Sequence, residues 1–187
     1  MKTAFHLCIL ICISATLYGQ TGKVMDQLSM PSKILKMDRN YAVYLPPDYE
    51  TSQRSYPVLY LLHGAGDDQT GWVQFGEVLR IADQAILSGQ ATPMIIVMPD
   101  ANTVFRGYYN SMDGIWRYED FFFQEFIPYV EKQFRIKGEK RYRAISGLSM
   151  GGGHTISVSP SYPTMFDYIG VMSMGSNDET LFVKLKA

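Results

Sequence analysis

The chain has 187 residues, 47% of them hydrophobic and 19% charged, with a formal net charge of -1. That is enough for one domain of roughly 100 to 200 residues with a buried core, and too apolar for a disordered chain. The near-neutral charge gives no global attraction to nucleic acid or to an anionic membrane, which leaves small or uncharged ligands as the better fit.

The first segment reads as a leader. Lys2, the apolar stretch from Leu7 to Leu17, and then Tyr18, Gly19 and Gln20 have the basic, apolar and small-residue parts of a secretory signal peptide. The stretch is too short for a transmembrane helix. Cleavage is expected near Gly19, giving a leader over 1–19, a domain over 20–187 and a secreted or periplasmic location, with no membrane contact after cleavage. A lipid anchor at Cys12 is disfavoured because Ile11 stands where such sites need a small residue. Cys8 and Cys12 are the only cysteines, so the mature chain is expected to carry neither a disulfide nor a thiol nucleophile.

Strand-like and helix-like segments then alternate. Strands are expected at Asn40 to Leu45, Val58 to Leu62, Met94 to Met98, Tyr142 to Ser146 and Tyr168 to Met172, and helices at Phe75 to Ser88, Tyr118 to Phe134 and Met150 to Ser159. Several strands are continuous apolar runs, the pattern produced by burial on both faces of a parallel sheet. An α/β layered fold with a mostly parallel sheet follows. In the helix from Tyr118, Phe122, Phe126, Val130 and Phe134 form one stripe of core character, and Pro128 should kink it. Lys132, Arg135, Lys137, Lys140, Arg141 and Arg143 cluster near its end, but Glu131 and Glu139 interrupt them, so they read as solvated surface.

Gly147-Leu148-Ser149-Met150-Gly151 matches G-x-S-x-G between a predicted strand and a predicted helix. In that context the motif is a nucleophile elbow. The serine sits on a strained bend, and glycines two residues to either side remove side chains that would collide with the neighbouring strand and helix. Its hydroxyl is presented at the carboxyl edge of the sheet, where open α/β folds bind ligands. The bland alternative is a tight turn or a phosphate loop, but neither the P-loop nor the dinucleotide spacing is present.

Leu61-Leu62-His63-Gly64-Ala65-Gly66 follows an earlier strand, where this architecture supplies half of an oxyanion hole. The expected donors are the N–H groups of Met150 and Ala65, with Gly64 the neighbour if the register differs. His63 reads as a buried brace of that turn. His154, five residues beyond Ser149, is rotated about 140° around the helix and reads as a packing residue. No histidine cluster supports a metal site.

"YAVYLPPDYE", "YPVLYLLHGAGDDQTGW", "IIVMPDAN", "RYEDFF", "FIPYVEKQF" and "RAISGLSMGGGHT" together resemble the esterase D or putative esterase family of α/β-hydrolases, and within it the secreted feruloyl and acetyl-xylan esterases. The resemblance implies hydrolysis of a feruloyl or acetyl ester of plant polysaccharide by a serine, acid and histidine triad, with no cofactor. It makes Ser149 the nucleophile, Met150 one oxyanion donor and the His63-Gly64-Ala65 turn the other. An acyltransferase or peptidase of the same fold, or a non-catalytic binding protein, are the competing readings.

The family order is serine, then acid, then histidine. Here Asp178 and Glu179 are acids after Ser149 but lie too early to match, and no histidine follows His154. The expectation is therefore a fold lacking its last strands, incomplete at the C-terminus, with Tyr168 to Met172 as an open apolar sheet edge. Trp72, Tyr108, Tyr109 and Trp116 are candidates for an aromatic acyl pocket, or alternatively for cover of the sheet edge as core. Asp100 reads as a loop brace through an Asx hydrogen bond.

Overall fold

The computed structural model describes residues 20–101 and 107–174. The expected leader with Cys8 and Cys12, and the acids Asp178 and Glu179, lie outside the described residues.

Six strands form one sheet: β1 (Lys23–Ser32), β2 (Met37–Leu45), β3 (Val58–Leu62), β4 (Ile95–Pro99), β5 (Arg143–Leu148) and β6 (Tyr168–Met172). Their spatial order is β1-β2-β4-β3-β5-β6. β4, β3, β5 and β6 run parallel, while β2 is antiparallel to β4 and β1 antiparallel to β2. The mostly parallel α/β reading therefore holds. Its cause is visible in β4, whose five residues are all buried because both faces of the sheet are covered.

One face carries Tyr60, Leu62, Val97 and Ile145, packed with Phe122, Phe126, Val130 and Val158. The other carries Leu61, Ile96 and Met98, packed with Val78, Ala82 and Ile86 of α2 (Val78–Leu87). Alternate residues of β3 thus serve different cores, as the two-residue period of a strand requires. β6 is the last strand among the described residues, and Tyr168, Ile169 and Val171 on it are exposed.

Three local readings need correction. β1 was not expected, because its alternation is broken by a register shift between Met25 and Leu28 and by Pro31. An edge position tolerates both. The helix expected over Phe75 to Ser88 begins only at Val78, as α2, because Glu77 before it adopts φ 46°, and a separate short helix that was not expected, α1 (Gly71–Gln74), precedes it. The helix from Tyr118 is not simply kinked at Pro128. α3 (Tyr118–Phe121) passes through a π-helical turn at Phe122–Phe126 into α4 (Ile127–Gln133). The Ile127 N–H bonds Phe122 O, five residues back, and this wider turn accommodates a proline that can neither donate nor tolerate a close carbonyl.

The stripe expectation holds for Phe122, Phe126 and Val130, which are fully buried, while Phe134 at the helix end is half-buried. Within the basic cluster, Arg143 pairs with Glu131 through two contacts of 2.6 and 2.8 Å, Lys140 with Asp167 at 3.0 Å and Arg141 with Glu139 at 3.1 Å. These three are locally neutralised, and Arg143, with its side chain 13% exposed, is largely buried instead of solvated.

Candidate active site

Parallel register sets Leu62 opposite Gly147, and Leu148 opposite Met172. The turn after β3 and the bend after β5 therefore leave the sheet side by side at its carboxyl edge. At that bend Ser149 adopts φ 53°, ψ -107°, and α5 (Met150–Ser161) begins at the next residue. For a residue with a Cβ this is a sparsely populated conformation, held only where the surroundings over-determine it. The surroundings do so here. The Ser149 N–H bonds Met172 O on β6 at 2.9 Å, and Ser149 O accepts from the Gly153 N–H at 2.9 Å.

The glycines explain how the bend can be so tight. A Cβ on Gly147 would lie 2.3 Å from Gly151 C and 2.4 Å from Gly151 O, and a Cβ on Gly151 would lie 2.7 Å from Leu62 Cβ and 2.8 Å from His63 O. Both are closer than real Cβ atoms approach. Ser149 itself is exposed, and the first-turn N–H groups of α5 beside it have no intrahelical acceptor. A Cβ at Gly64 would sit 3.7 Å from Ser149 Cβ and 3.6 Å from Leu148 O. The Gly64-Ala65 turn therefore abuts the serine, and Ala65 is exposed beside it.

Both histidines are buried, and neither is held by the Ser149 hydroxyl. His63 Nδ1 lies 2.8 Å from Gly64 O, its Nε2 accepts the Ala101 N–H at 3.1 Å, and its own N–H donates to the Tyr108 hydroxyl at 2.9 Å. Burial lowers its proton affinity, partly offset by the Gly64 carbonyl and by the Asp100 carboxylate. His154 stacks on Tyr108 at 5.4 Å and meets Phe122 edge-on at 6.1 Å, with Nε2 buried and without a hydrogen-bond partner. Desolvation pushes its pKa down to about 3.

That shift has a measurable sign. The unfolded chain takes up a proton on this residue below about pH 6.5, whereas the native ring stays neutral to about pH 3, so stability falls as pH drops through that interval and is unaffected above it. The loss between pH 6.5 and 5 is about 2 kcal/mol. His154→Leu should flatten this part of the profile in urea titrations at pH 5 and 7. Identical slopes for the two proteins would contradict the assignment.

The four aromatic candidates are not brought to one pocket. Tyr108 is 1% exposed and Trp116 4% exposed, while Tyr109 is 54% exposed. The Trp116 indole donates to Gly107 O at 2.6 Å and its ring packs on Tyr118, so it follows the core reading. Trp72 lies in the core under α2, lining an apolar cavity of about 350 Å³ with Leu61, Val78 and Met172. Tyr108 and Tyr109 do meet, with Met150, Gly153, His154 and Ser157, around a cavity of about 260 Å³ beside the first turns of α5.

The sequence offered Tyr108 only as a pocket residue and gave no role to Arg39. Tyr108 is the hub between the two histidines, stacking on His154 and lying 5.4 Å from the His63 ring. Arg39 was not considered at all, yet its Nη2 donates to Asp100 O and Asp100 Oδ2, both at 2.7 Å. Where an Asx bond within the loop was expected of Asp100, the described contact of its carboxylate is with a cation from β2. Arg39 stands between the exposed Asp38 and Asn40 in β2 and reads locally as surface, so its burial and hence its need of a partner carried no signal in the sequence.

Comparison with known proteins bears on the family and the fold. The chain is 38% identical over 141 residues to an endo-1,4-beta-xylanase/feruloyl esterase of Xylanibacter ruminicola, covering 72% of this chain and 19% of that protein. It is 40% identical over 124 residues to an esterase of Mycobacterium tuberculosis, covering 64% of this chain and 25% of that one. The chain thus spans a quarter or less of these relatives. A solved ferulic acid esterase superposes with a TM-score of 0.74 at 40% identity, over 78% of this chain and 57% of that one, and the α/β-hydrolase fold follows. Residues 32–179 match the family model described as putative esterase, and the chain belongs to that family.

Proposed function

We propose that this chain carries the nucleophile and oxyanion-binding elements of a serine carboxylic-ester hydrolase acting on feruloyl or acetyl esters of plant polysaccharide, exported through its leader. The observation that carries the reading is the exposed Ser149 held at φ 53° on a bend that two glycines allow. Such strain at a solvent-facing hydroxyl has no packing purpose, since a glycine would relax it.

In this mechanism a general base other than His63 or His154 takes the Ser149 proton as Oγ attacks the ester carbonyl, later returning it to the leaving alcohol, and negative charge develops on the carbonyl oxygen. The N–H groups of Ala65 and Met150, with Gly64 adjoining, receive that charge, aided by the N-terminal dipole of α5. Collapse expels the alcohol with a proton and leaves an acyl-serine, which water then hydrolyses. Neither His63 nor His154 takes the Ser149 proton. The first has both ring nitrogens engaged elsewhere, and the second is buried and stacked on Tyr108.

The cavity bordered by Tyr108, Tyr109 and Met150 supports an aromatic acyl group, whose ring would pack against Tyr109. Methyl ferulate, acetylated xylan and a peptide amide offered in parallel separate this reading from an acetyl-specific hydrolase and from a peptidase. A fluorophosphonate reagent tests the nucleophile: without either histidine as base Ser149 should label only slowly, stoichiometric labelling there would show that one of the two does supply the base, and labelling at another residue in preference to Ser149 would overturn the assignment.

A further inference from the structure

At the opposite edge of the sheet from Ser149, where the parallel strands begin, lies a cavity of about 610 Å³. Val58 and Tyr168 on its wall are the first residues of β3 and β6, and Ala144 is the second residue of β5. Ala144 stands five residues before Ser149 along that strand, about 16 Å away at the usual rise. The cavity is therefore separate from the Ser149 site.

Its floor is apolar, built from Pro57, Val58, Pro93, Met94 and Ala144, and the charged residues on its lining are all cations, Arg54, Lys137 and Arg141. Two of these are already neutralised. Arg54 Nη2 lies 2.7 Å from the Asp48 carboxylate, and Arg141 Nη2 lies 3.1 Å from that of Glu139. Lys137 forms no ion pair among the described residues, and its ammonium rests 4.3 Å over the Tyr142 ring. Tyr168 is 63% exposed, and its ring meets no other aromatic ring among the described residues. One unpaired ammonium and one unpaired ring thus border the same apolar floor.

We propose that this cavity binds an aryl carboxylate, with the acid group on Lys137 and the ring against Tyr168 and the apolar floor. A single free cation matches a single negative charge, and a charge-assisted hydrogen bond from an ammonium to a carboxylate is stronger than a neutral one. A flat ring gains by packing on a tyrosine face. A sugar acid fits less well, because it carries a hydroxyl on most of its carbons and the floor would leave those groups buried without partners. An alkyl acid would reach Lys137 equally but forgo the ring contact. The proposal does not depend on the reading of Ser149 as a nucleophile, although ferulate, the acid that such a reaction would release, belongs to this class.

The test is titration of the 15N-labelled full chain with ferulate, following backbone amide shifts. Amides of Lys137, Ala144 and Tyr168 should move together on one binding curve. Methyl ferulate, which has the ring but no charge, should bind there about tenfold more weakly, and Lys137→Gln should weaken ferulate by a similar factor. Tyr168→Ser should weaken ferulate severalfold, and should bring it level with hexanoate. Both substitutions are at side chains that the fold leaves at least partly exposed, so each variant is expected to fold.

Unmoved Lys137, Ala144 and Tyr168 amides, methyl ferulate binding as tightly as ferulate, unchanged affinity in Lys137→Gln, or glucuronate or hexanoate matching ferulate in wild type would each overturn the proposal. Failure of the hydrolase reading is distinguishable, because ligand at the Ser149 site moves the amides of Met150 and Gly153 at the other edge of the sheet.

Discussion

Gly147→Ala is expected to abolish the reactive bend and to destabilise the chain by more than about 4 kcal/mol. The added Cβ would occupy a point 2.3 Å from one backbone atom of Gly151 and 2.8 Å from the nitrogen of Gly152. No side-chain rotation relieves a clash with backbone, so either β5 or the start of α5 must move. Gly151→Ala should behave similarly, because its Cβ would press on Leu62 and on His63 O in the neighbouring strand and turn.

Gly153→Ala is the control. A Cβ there meets only Met174 Sδ at 3.7 Å, and alanine is favoured over glycine within a helix by about 1 kcal/mol. The three variants should therefore rank with Gly153→Ala at or above wild type and the other two far below it in urea midpoint. Comparable stability for all three would mean that the elbow is looser than its backbone geometry requires.

Ser149→Ala should remove fluorophosphonate labelling at position 149; with neither His63 nor His154 as base, ester hydrolysis rests on the oxyanion and binding elements and should fall little further. Ser149→Gly should lose labelling to the same extent yet raise stability by about 1 kcal/mol, because glycine adopts φ 53° without strain. A nucleophile held under strain predicts this opposition between reactivity and stability. If Ser149→Gly were instead less stable than Ser149→Ala, the side chain would be contributing packing, and the strain argument would fail. Thermal unfolding of the two variants beside wild type makes the comparison.

Much of the layered architecture was legible from local pattern. Unbroken apolar runs such as VLYLL and IIVMP mark strands buried on both sides, and β6 was bounded at Tyr168–Met172 by its apolar run alone. The G-x-S-x-G spacing located the bend, because a steric demand two residues either side of a serine is written in consecutive positions. β1 escaped notice because an edge strand is only half constrained by burial. The break at Glu77 escaped because αL conformations of non-glycine residues leave no compositional mark.

The amino-acid sequence by itself determined five of the sheet's six strands, the place of the bend and the histidines that could surround it, since each depends on neighbours within a few residues. Tertiary structure alone decided that Tyr108 binds the His63 backbone rather than forming an aromatic wall with Trp72, and that Arg39 stands behind Asp100. Those contacts join β2, β4 and two loops through strand order and register. Strand order is set by how whole faces pack, and no short stretch of the chain carries that information.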